Sequence, residues 1–210
     1  MKKYNFDVYE KENGEAPFLV YLDSLDVKSR AKVLRAITIV EDFGAQSPPG
    51  YIDHLGDGIY ELRVKFSSNI FRCLYFHFHN NKYIITHGFT KKTQKTPSRE
   101  ITNLKSIVKT TWKGMSKKME NKLQKYFDTQ MDTPEFAEAW RETEASYQAA
   151  NILLKIRAEK QLTQSELANL TGKKQSYIAR VEKGTQNISV QTLNDIVESA
   201  GGKLKIEVVV

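Results

Sequence analysis

The side chains best suited to chemistry are cationic groups that alternate along segments with strand periodicity. Arg63 and Lys65 lie two residues apart in GIYELRVKF, so both point away from the apolar face of the predicted strand. Guanidinium and ammonium groups neutralise phosphate oxygens, and imidazole transfers protons near neutral pH. The remaining candidates of these types follow in the next two segments: Arg72, His87, Lys91 and Lys92.

These residue types suit cleavage of RNA by its own 2′-OH without a metal. That reaction needs a proton acceptor near the 2′-OH, cations around the phosphate and a proton donor for the leaving 5′-oxygen. His87, or a lysine with a lowered pKa, could transfer the protons. His77 and His79 share a strand face without a nearby third ligand, so we expect neither a metal nor another cofactor.

Charge is unevenly distributed along the 210 residues, whose formal net charge is +7. Residues 61–118 contain 13 Lys and Arg against two Asp and Glu, whereas residues 119–150 contain three against seven. A strongly basic surface attracts a polyanion, most often a nucleic acid. The acidic segment that follows could compete for the same surface.

The first half alternates between strand and helix patterns. The pattern predicts strands over 4–9, 58–66, 70–79 and 82–89, and helices over 26–43 and from Pro97 to about Trp112. Short turns at residues 67–69 and 80–81 separate the last three strands, which favours an antiparallel meander. We therefore expect an α+β domain over 1–112, followed by a basic junction over 113–118.

The acidic segment 119–150 is predicted to be helical. Thr133-Pro134-Glu135 is a typical helix start, and one stripe recurs at steps of three and four residues. The stripe could pack in a local core or dock on a partner domain; it comprises Phe136, Trp140, Thr143, Tyr147, Ala150 and Leu154.

Residues 151–210 carry the most specific helical pattern. Ile152–Lys160 is predicted to be the first helix, and Thr163 with Glu166 forms a capping box at the start of the second. Gly172 permits a tight turn before a third helix over 175–182, and a fourth helix begins at Ser189 or Val190. The tail KLKIEVVV is predicted to be a terminal strand, which needs an edge for pairing, in a second copy or in its own bundle.

The sequence LTQ-ELA—TG—QSYIARVEKG resembles the Cro/C1-type (XRE) helix-turn-helix family. The resemblance implies that the third helix enters the major groove and that Gln175, Ser176 and Tyr177 meet bases or sugars. It also implies phosphate contacts near the second and third helices. The implied DNA-binding residues are Gln164, Lys174, Gln175, Ser176, Tyr177, Arg180 and Lys183.

Residues 58–104, and HGFTKKTQKTP in particular, resemble the HigB-type, phage-derived (Gp49-like) branch of the RelE toxin superfamily. The resemblance extends less sharply over 1–112, and it implies a RelE-like fold and metal-independent mRNA cleavage on the ribosome. Phe89 or Tyr75 would stack on a base. By position, the reactive surface would comprise Arg63, Lys65, Arg72, His87, Lys91 and Lys92.

Together the two resemblances imply a type II toxin–antitoxin pair in one chain. The toxin would be an endoribonuclease (an mRNA interferase), inhibited in this form when the acidic segment docks on it through Phe136, Trp140 and Tyr147. The HigA-like helix-turn-helix region would bind operator DNA, as a dimer, and repress its own operon. The toxin–antitoxin contact would form within or between chains.

Two other classes of function fit the same basic segment. One is a DNA-binding regulator whose first domain has lost catalysis, and the other is an RNA-binding module that does not cleave. Cys73 is the single cysteine and lies in a strand pattern, as expected for a buried thiol in the reducing cytoplasm. No apolar run is long enough for a membrane span.

Overall fold

The computed structural model describes residues 3–79, 81–91, 100, 102, 104–105, 107–108 and 121–207. They form two compact units. The first comprises residues up to Ala45 and Gly50–Trp140, and the second comprises Gln46–Pro49 and residues from Arg141. The junction predicted over 113–118, with the end of the helix predicted to reach Trp112, lies outside the described residues.

The first unit is built on a five-stranded mixed sheet with strand order β1-β5-β4-β3-β2. Strands β2 to β5 are antiparallel, and the edge strand β1 runs parallel to β5. The antiparallel meander is confirmed, whereas the sequence pattern did not predict β2. The strands are β1 (Asn5–Val8), β2 (Ile52–Gly56), β3 (Ile59–Phe66), β4 (Asn69–His79) and β5 (Lys82–Lys91).

Two helices cover one face of this sheet, called here the helical face. They are α1 (Pro17–Asp23), which the sequence pattern did not predict, and α2 (Val27–Phe43). Asp26 caps α2 by accepting a hydrogen bond from the Ser29 N–H. Close packing of α1 depends on Gly88, because a Cβ there would lie 2.2 Å from the Tyr21 ring.

The opposite face, called here the cationic face, has an apolar half and a polar half. In the apolar half, Ile59 and Leu74 pack with Leu104, which lies among described helical residues between 100 and 108. The polar half contains the cationic residues that the sequence pattern singled out. Because a strand alternates its side chains, the same strands supply both the core and this polar surface.

Two further helices belong to the first unit: α3 (Lys122–Met131) and α4 (Pro134–Glu142), the latter as far as Trp140. The expected continuous stripe from Phe136 to Leu154 is interrupted. Buried Thr143 ends α4 and precedes α5 (Glu144–Lys160), so the two compact units separate within the acidic segment.

The second unit contains α5 and three shorter helices, α6 (Gln164–Leu170), α7 (Gln175–Glu182) and α8 (Val190–Ser199). The capping box is confirmed, since Thr163 Oγ1 accepts from the Glu166 N–H and Glu166 accepts from the Thr163 N–H. Leu153, Leu167, Ile178 and Ile196 form the centre of its core.

The fold class predicted from the sequence is confirmed for the sheet-containing region and the helix-turn-helix region. The predicted terminal strand is not formed within the described residues. Residues 202–207 carry no regular secondary structure, and 208–210 lie outside the described residues. An isolated segment of this length gains no ladder hydrogen bonds without an edge to pair with. Every helix in the described part of the chain is too short or too polar to cross a bilayer.

Candidate functional site

Five of the six residues predicted for chemistry lie on the cationic face. Glu61, Leu74 and His87 are in register across three strands. One step along, Arg63, Arg72 and Phe89 are in register, and one step further lie Lys65, Ile70 and Lys91. The sheet therefore brings Arg63, Lys65, Arg72, His87 and Lys91 together, while Lys92 lies outside the described residues.

A buried carboxylate organises the arginines. Glu61 is fully buried and forms ion pairs with both Arg72 and Arg63, and Arg63 also pairs with Asp53 of β2. Arg72 is only 1% exposed, so its guanidinium lies beneath the surface. The Arg63 side chain is 32% exposed and is therefore the better placed of the two arginines to meet an anion.

His87 is held from both sides of its ring. Its Nδ1 lies 2.9 Å from Thr86 Oγ1, and its Nε2 lies 3.0 Å from Glu100 Oε2. Burial lowers the pKa of His87 from its ordinary value near 6.5, and the Glu100 carboxylate opposes this shift. Glu100 was missed from the sequence because 13 residues separate it from His87 along the chain.

The residues expected to stack on a base differ in position. Phe89 is partly buried on the cationic face, in register with Arg72. Tyr75 is 2% exposed and points to the helical face, where it stacks against Tyr60. Strand alternation therefore separates Tyr75 from the cations, and of these two aromatic residues it is Phe89 that lies on the cationic face.

No set of three or more His, Cys, Asp or Glu side chains among the described residues is arranged to hold a metal ion. The described side chains of the cationic face offer cation pairing and proton transfer. Arg63, Lys65 and Lys91 could neutralise an anion, and His87 could exchange a proton.

Helices α3 and α4 pack against the α2 side of the first unit. Leu123 and Phe127 of α3 and Trp140 of α4 face Phe6 of β1 and Leu34 of α2 around a cavity of about 290 Å³. The lining combines these apolar side chains with the polar residues Thr38, Glu41, Asn121 and Gln124. This surface of β1 and α2 is called here the docking groove.

Polar contacts fix both ends of the docking groove. At one end, the Asp7 carboxylate accepts hydrogen bonds from the backbone N–H groups of Lys122 (3.0 Å) and Leu123 (3.4 Å). At the other end, the guanidinium of Arg35 lies 3.5 Å from the centre of the Trp140 ring. Arg35 is 7% exposed, so this cation–π contact is largely desolvated.

The contacts differ from the expected docking of an acidic segment on a basic surface. Lys122 pairs with Glu10, and Tyr126 donates a 2.6 Å hydrogen bond to Asp23, so basic and polar groups of α3 meet acidic groups. Although the whole segment is acidic, Lys122 and Lys125 make the first turn of α3 basic. Phe136 is buried against Phe127 and Trp140, whereas Tyr147 belongs to α5 in the second unit.

In the second unit, the start of α7 carries most of the residues predicted to contact DNA. Lys174, Gln175, Ser176, Arg180 and Lys183 are exposed, and Tyr177 is partly buried against the helical core.

Gln164 lies inside this unit and not on its surface. Its amide donates to Glu182 at 2.7 Å and accepts from Gln175 Nε2 at 2.7 Å. Glu182 also receives two hydrogen bonds from Arg157. The side chain of Gln164 therefore contacts Gln175, and its predicted contact with a phosphate stays a prediction.

The fold and these two sites define a chain with a sheet-based unit carrying clustered cations and a unit carrying a helix-turn-helix. Residues 20–109 match the family described as Phage derived protein Gp49-like (DUF891), and residues 153–204 match the family described as Helix-turn-helix. The chain thus joins a Gp49-like, toxin-type domain to an XRE-type helix-turn-helix domain. No curated protein matches the chain.

Proposed function

We propose that the chain is a toxin–antitoxin pair of type II in a single polypeptide, HigB-like and then HigA-like. The observation that carries the proposal is the cationic face, where residues from three strands converge beside a partly buried histidine. The first unit would be an mRNA endoribonuclease that acts in the cytoplasm on ribosome-bound messages. The second would bind operator DNA and repress its own operon.

The described side chains supply the needs of metal-free RNA cleavage. Arg63, Lys65 and Lys91 would bind the phosphates, and Phe89 would stack on a base. Arg72 would hold Glu61 and thereby position Arg63. His87 would take part in proton transfer, because its imidazole lies on the cationic face and contacts the Glu100 carboxyl group. Lys92 remains a candidate from the sequence alone.

The docking groove supports an inhibitory role for α3 and α4. Trp140 and Arg35 are residue types that dominate binding energy at interfaces, and here they stack on each other. Phe136 packs behind Trp140 and would stabilise its position. Tyr147, which lies in the second unit, remains a candidate contact from the sequence alone.

The helix-turn-helix would read DNA through the exposed start of α7. Gln175 would pair with adenine in the major groove while its amide is oriented by Gln164. The residues proposed to contact the phosphates are Lys174, Arg180 and Lys183, and those proposed to contact bases or sugars are Ser176 and Tyr177. A homodimer would engage two half-sites one helical turn apart.

The toxin assignment is tested by releasing α3 and α4 in the full-length chain. Leu123→Ala with Trp140→Ala, called here the released chain, removes two apolar side chains from the docking groove. Expression of the released chain should arrest growth and produce ribosome-phased mRNA ends. Thr129→Ala, at an exposed position on α3, is the matched control and should leave growth unaffected.

One observation favours a second function, a DNA-binding regulator with a silent first unit. The arginines of the cationic face already pair with carboxylates of the same sheet, Glu61 and Asp53. If a folded released chain neither arrests growth nor cuts mRNA, while operator binding persists, the regulator is the correct function.

A further inference from the structure

A β-bulge places two consecutive side chains of β5 beside each other. Leu74 is in register with His87, but the next residue, Tyr75, is in register with Ile85, so Thr86 is an extra residue in the ladder. Consecutive side chains of a regular strand point to opposite faces. The bulge removes that separation, which allows the contact between Thr86 Oγ1 and His87 Nδ1.

The hydroxyl hydrogen of Thr86 is donated to a backbone carbonyl group. Thr86 is fully buried, and its Oγ1 lies 3.1 Å from the carbonyl oxygen of Leu74. A carbonyl only accepts, so Thr86 must donate its one hydrogen there. Thr86 Oγ1 can then only accept from the His87 ring, and Nδ1 of His87 must therefore carry a hydrogen.

This assignment has a consequence at the other ring nitrogen. With hydrogen on Nδ1, a neutral His87 would present a lone pair at Nε2 to the Glu100 oxygen 3.0 Å away. Two acceptors do not form a hydrogen bond. A second hydrogen must lie between Nε2 and Oε2, so the pair is either imidazolium with carboxylate or neutral imidazole with carboxylic acid.

We propose that the His87–Glu100 pair stores one proton at neutral pH and donates it to the leaving 5′-oxygen during RNA cleavage. This inference rests on the proposed ribonuclease function. In the reaction, the 2′-oxygen bonds to phosphorus and releases its proton to water. The bond from phosphorus to the 5′-oxygen breaks, and that oxygen takes the stored proton, which the pair regains from solvent.

The stored proton can be observed without any cleavage assay. In the full-length chain, ¹⁵N resonances of His87 and the ¹³C carboxyl resonance of Glu100 should show hydrogen on Nδ1 and one further proton on the pair at pH 7. Glu100→Gln should remove that further proton. The proposal would be overturned if the resonances showed no hydrogen on Nδ1, a hydrogen on Nε2 and an ionised Glu100 carboxylate.

The donor role is tested with the released chain on two RNA substrates, each presented on the ribosome as the proposed function requires. Glu100→Gln and His87→Asn should slow cleavage of ordinary RNA by about 100-fold or more, the usual size of a general-acid effect. An RNA with sulfur in place of the scissile 5′-oxygen has a leaving group that needs no proton. Both variants should therefore cleave this RNA at nearly the rate of the released chain.

His77→Asn is the matched control, because this exposed histidine lies on the helical face. It should cleave both RNAs normally. Equal losses on both substrates in the Glu100 and His87 variants would exclude the donor role while leaving the ribonuclease function intact. Failure of the released chain to cleave either RNA would overturn the ribonuclease function, and the donor role with it.

Discussion

Glu61 shows how one buried charge can organise a polar surface. It has no exposed area, yet it pairs with Arg72 beneath the surface and with Arg63 at the surface. A buried ion pair contributes little net stability, because both partners lose water. Removal of one partner is costly, however, since the other charge then remains buried without its counter-ion.

Arg72→Met should accordingly destabilise the first unit by about 3–5 kcal/mol. Glu61→Met combined with Arg72→Met should cost much less, because neither charge remains buried alone. Urea unfolding followed by circular dichroism measures both values. Lys65→Met, at an exposed position on the same face, is the control and should change stability by less than about 0.5 kcal/mol.

Equal costs for the single and double variants of this pair would contradict the organising role of Glu61. The same comparison matters for assays of activity. A loss of cleavage on replacement of Arg72 reports misplacement of Arg63 or unfolding, whereas Arg63→Met tests phosphate binding directly.

At the scale of elements, α3 depends on groups outside itself. A ten-residue helix is marginal in water, because the cost of nucleation is spread over few hydrogen bonds. Its free N–H groups are satisfied in two ways: Asn121 accepts from Gln124, and Asp7 of β1 accepts from Lys122 and Leu123. Formation of the helix is thus coupled to occupation of the docking groove.

Asp7→Ala should increase hydrogen exchange of the Lys122 and Leu123 amides by about fivefold, because loss of a cap costs about 1 kcal/mol. Exchange measured by NMR on the full-length chain tests this. Glu10→Gln is the control. Glu10 pairs with the side chain of Lys122 and does not cap a backbone N–H of α3 in the described contacts. Unchanged exchange in Asp7→Ala would show that water replaces the cap.

The charge of Asp7 has a separate effect that depends on pH. Burial raises the pKa of Asp7 above its usual value near 3.8, despite hydrogen bonds from Val8, Leu123 and Lys122. The folded state therefore binds this proton more tightly than the unfolded state, and the ionised form costs stability above the raised pKa.

Asp7→Asn should therefore equal or exceed the wild-type chain in stability at pH 7. The difference should disappear as the pH falls through the raised pKa, where wild-type Asp7 becomes neutral. Urea unfolding between pH 7 and pH 4 tests the sign. A stability advantage of Asn that grows on acidification would contradict it.

At the scale of the whole molecule, the sites proposed for RNA cleavage and for DNA binding belong to different compact units. The cationic face and the docking groove lie in the first unit, and α7 with its supporting residues lies in the second. The hydrogen-bonded series from Arg157 through Glu182 and Gln164 to Gln175 is complete within the second unit. Changes in one site should therefore leave the other largely intact.

The released chain should bind operator DNA within about twofold of the wild-type affinity. Gln175→Ala should lose about 1–3 kcal/mol of discrimination between operator and unrelated DNA, without causing growth arrest. Lys183→Ala should instead weaken binding to both DNAs and lower the salt dependence by about one ion. Loss of operator binding in the released chain would show that the two sites are coupled.

The parts of the fold that depend on short-range sequence patterns could be predicted. Alternation in GIYELRVKF predicted the face shared by Arg63 and Lys65, and Thr163 with Glu166 predicted the start of α6. Both signals act over a few residues, through strand alternation and backbone capping.

The parts that depend on distant pairing could not be predicted. The short helix α1 has no strong periodicity, and β2 is recognisable only once β3 offers it an edge. Burial of Arg72 follows from its pairing with Glu61 across two strands, and the His87–Glu100 contact joins β5 to a helical residue. From sequence alone, a basic residue is expected to be exposed. Its burial can be recognised only once its ion-pair partner is known.

The boundary between Trp140 and Arg141 has a consequence for recombination. A chimaera joined there would exchange the DNA reader while every described group of the docking groove stays with its own sheet. A chimaera joined at the basic stretch 113–118 would bring in foreign α3 and α4 helices, which would have to match Asp7 and Arg35. Under the proposed function, exchange of a cassette that starts at Arg141 would change operator recognition and leave the contacts of α3 and α4 with the docking groove in place.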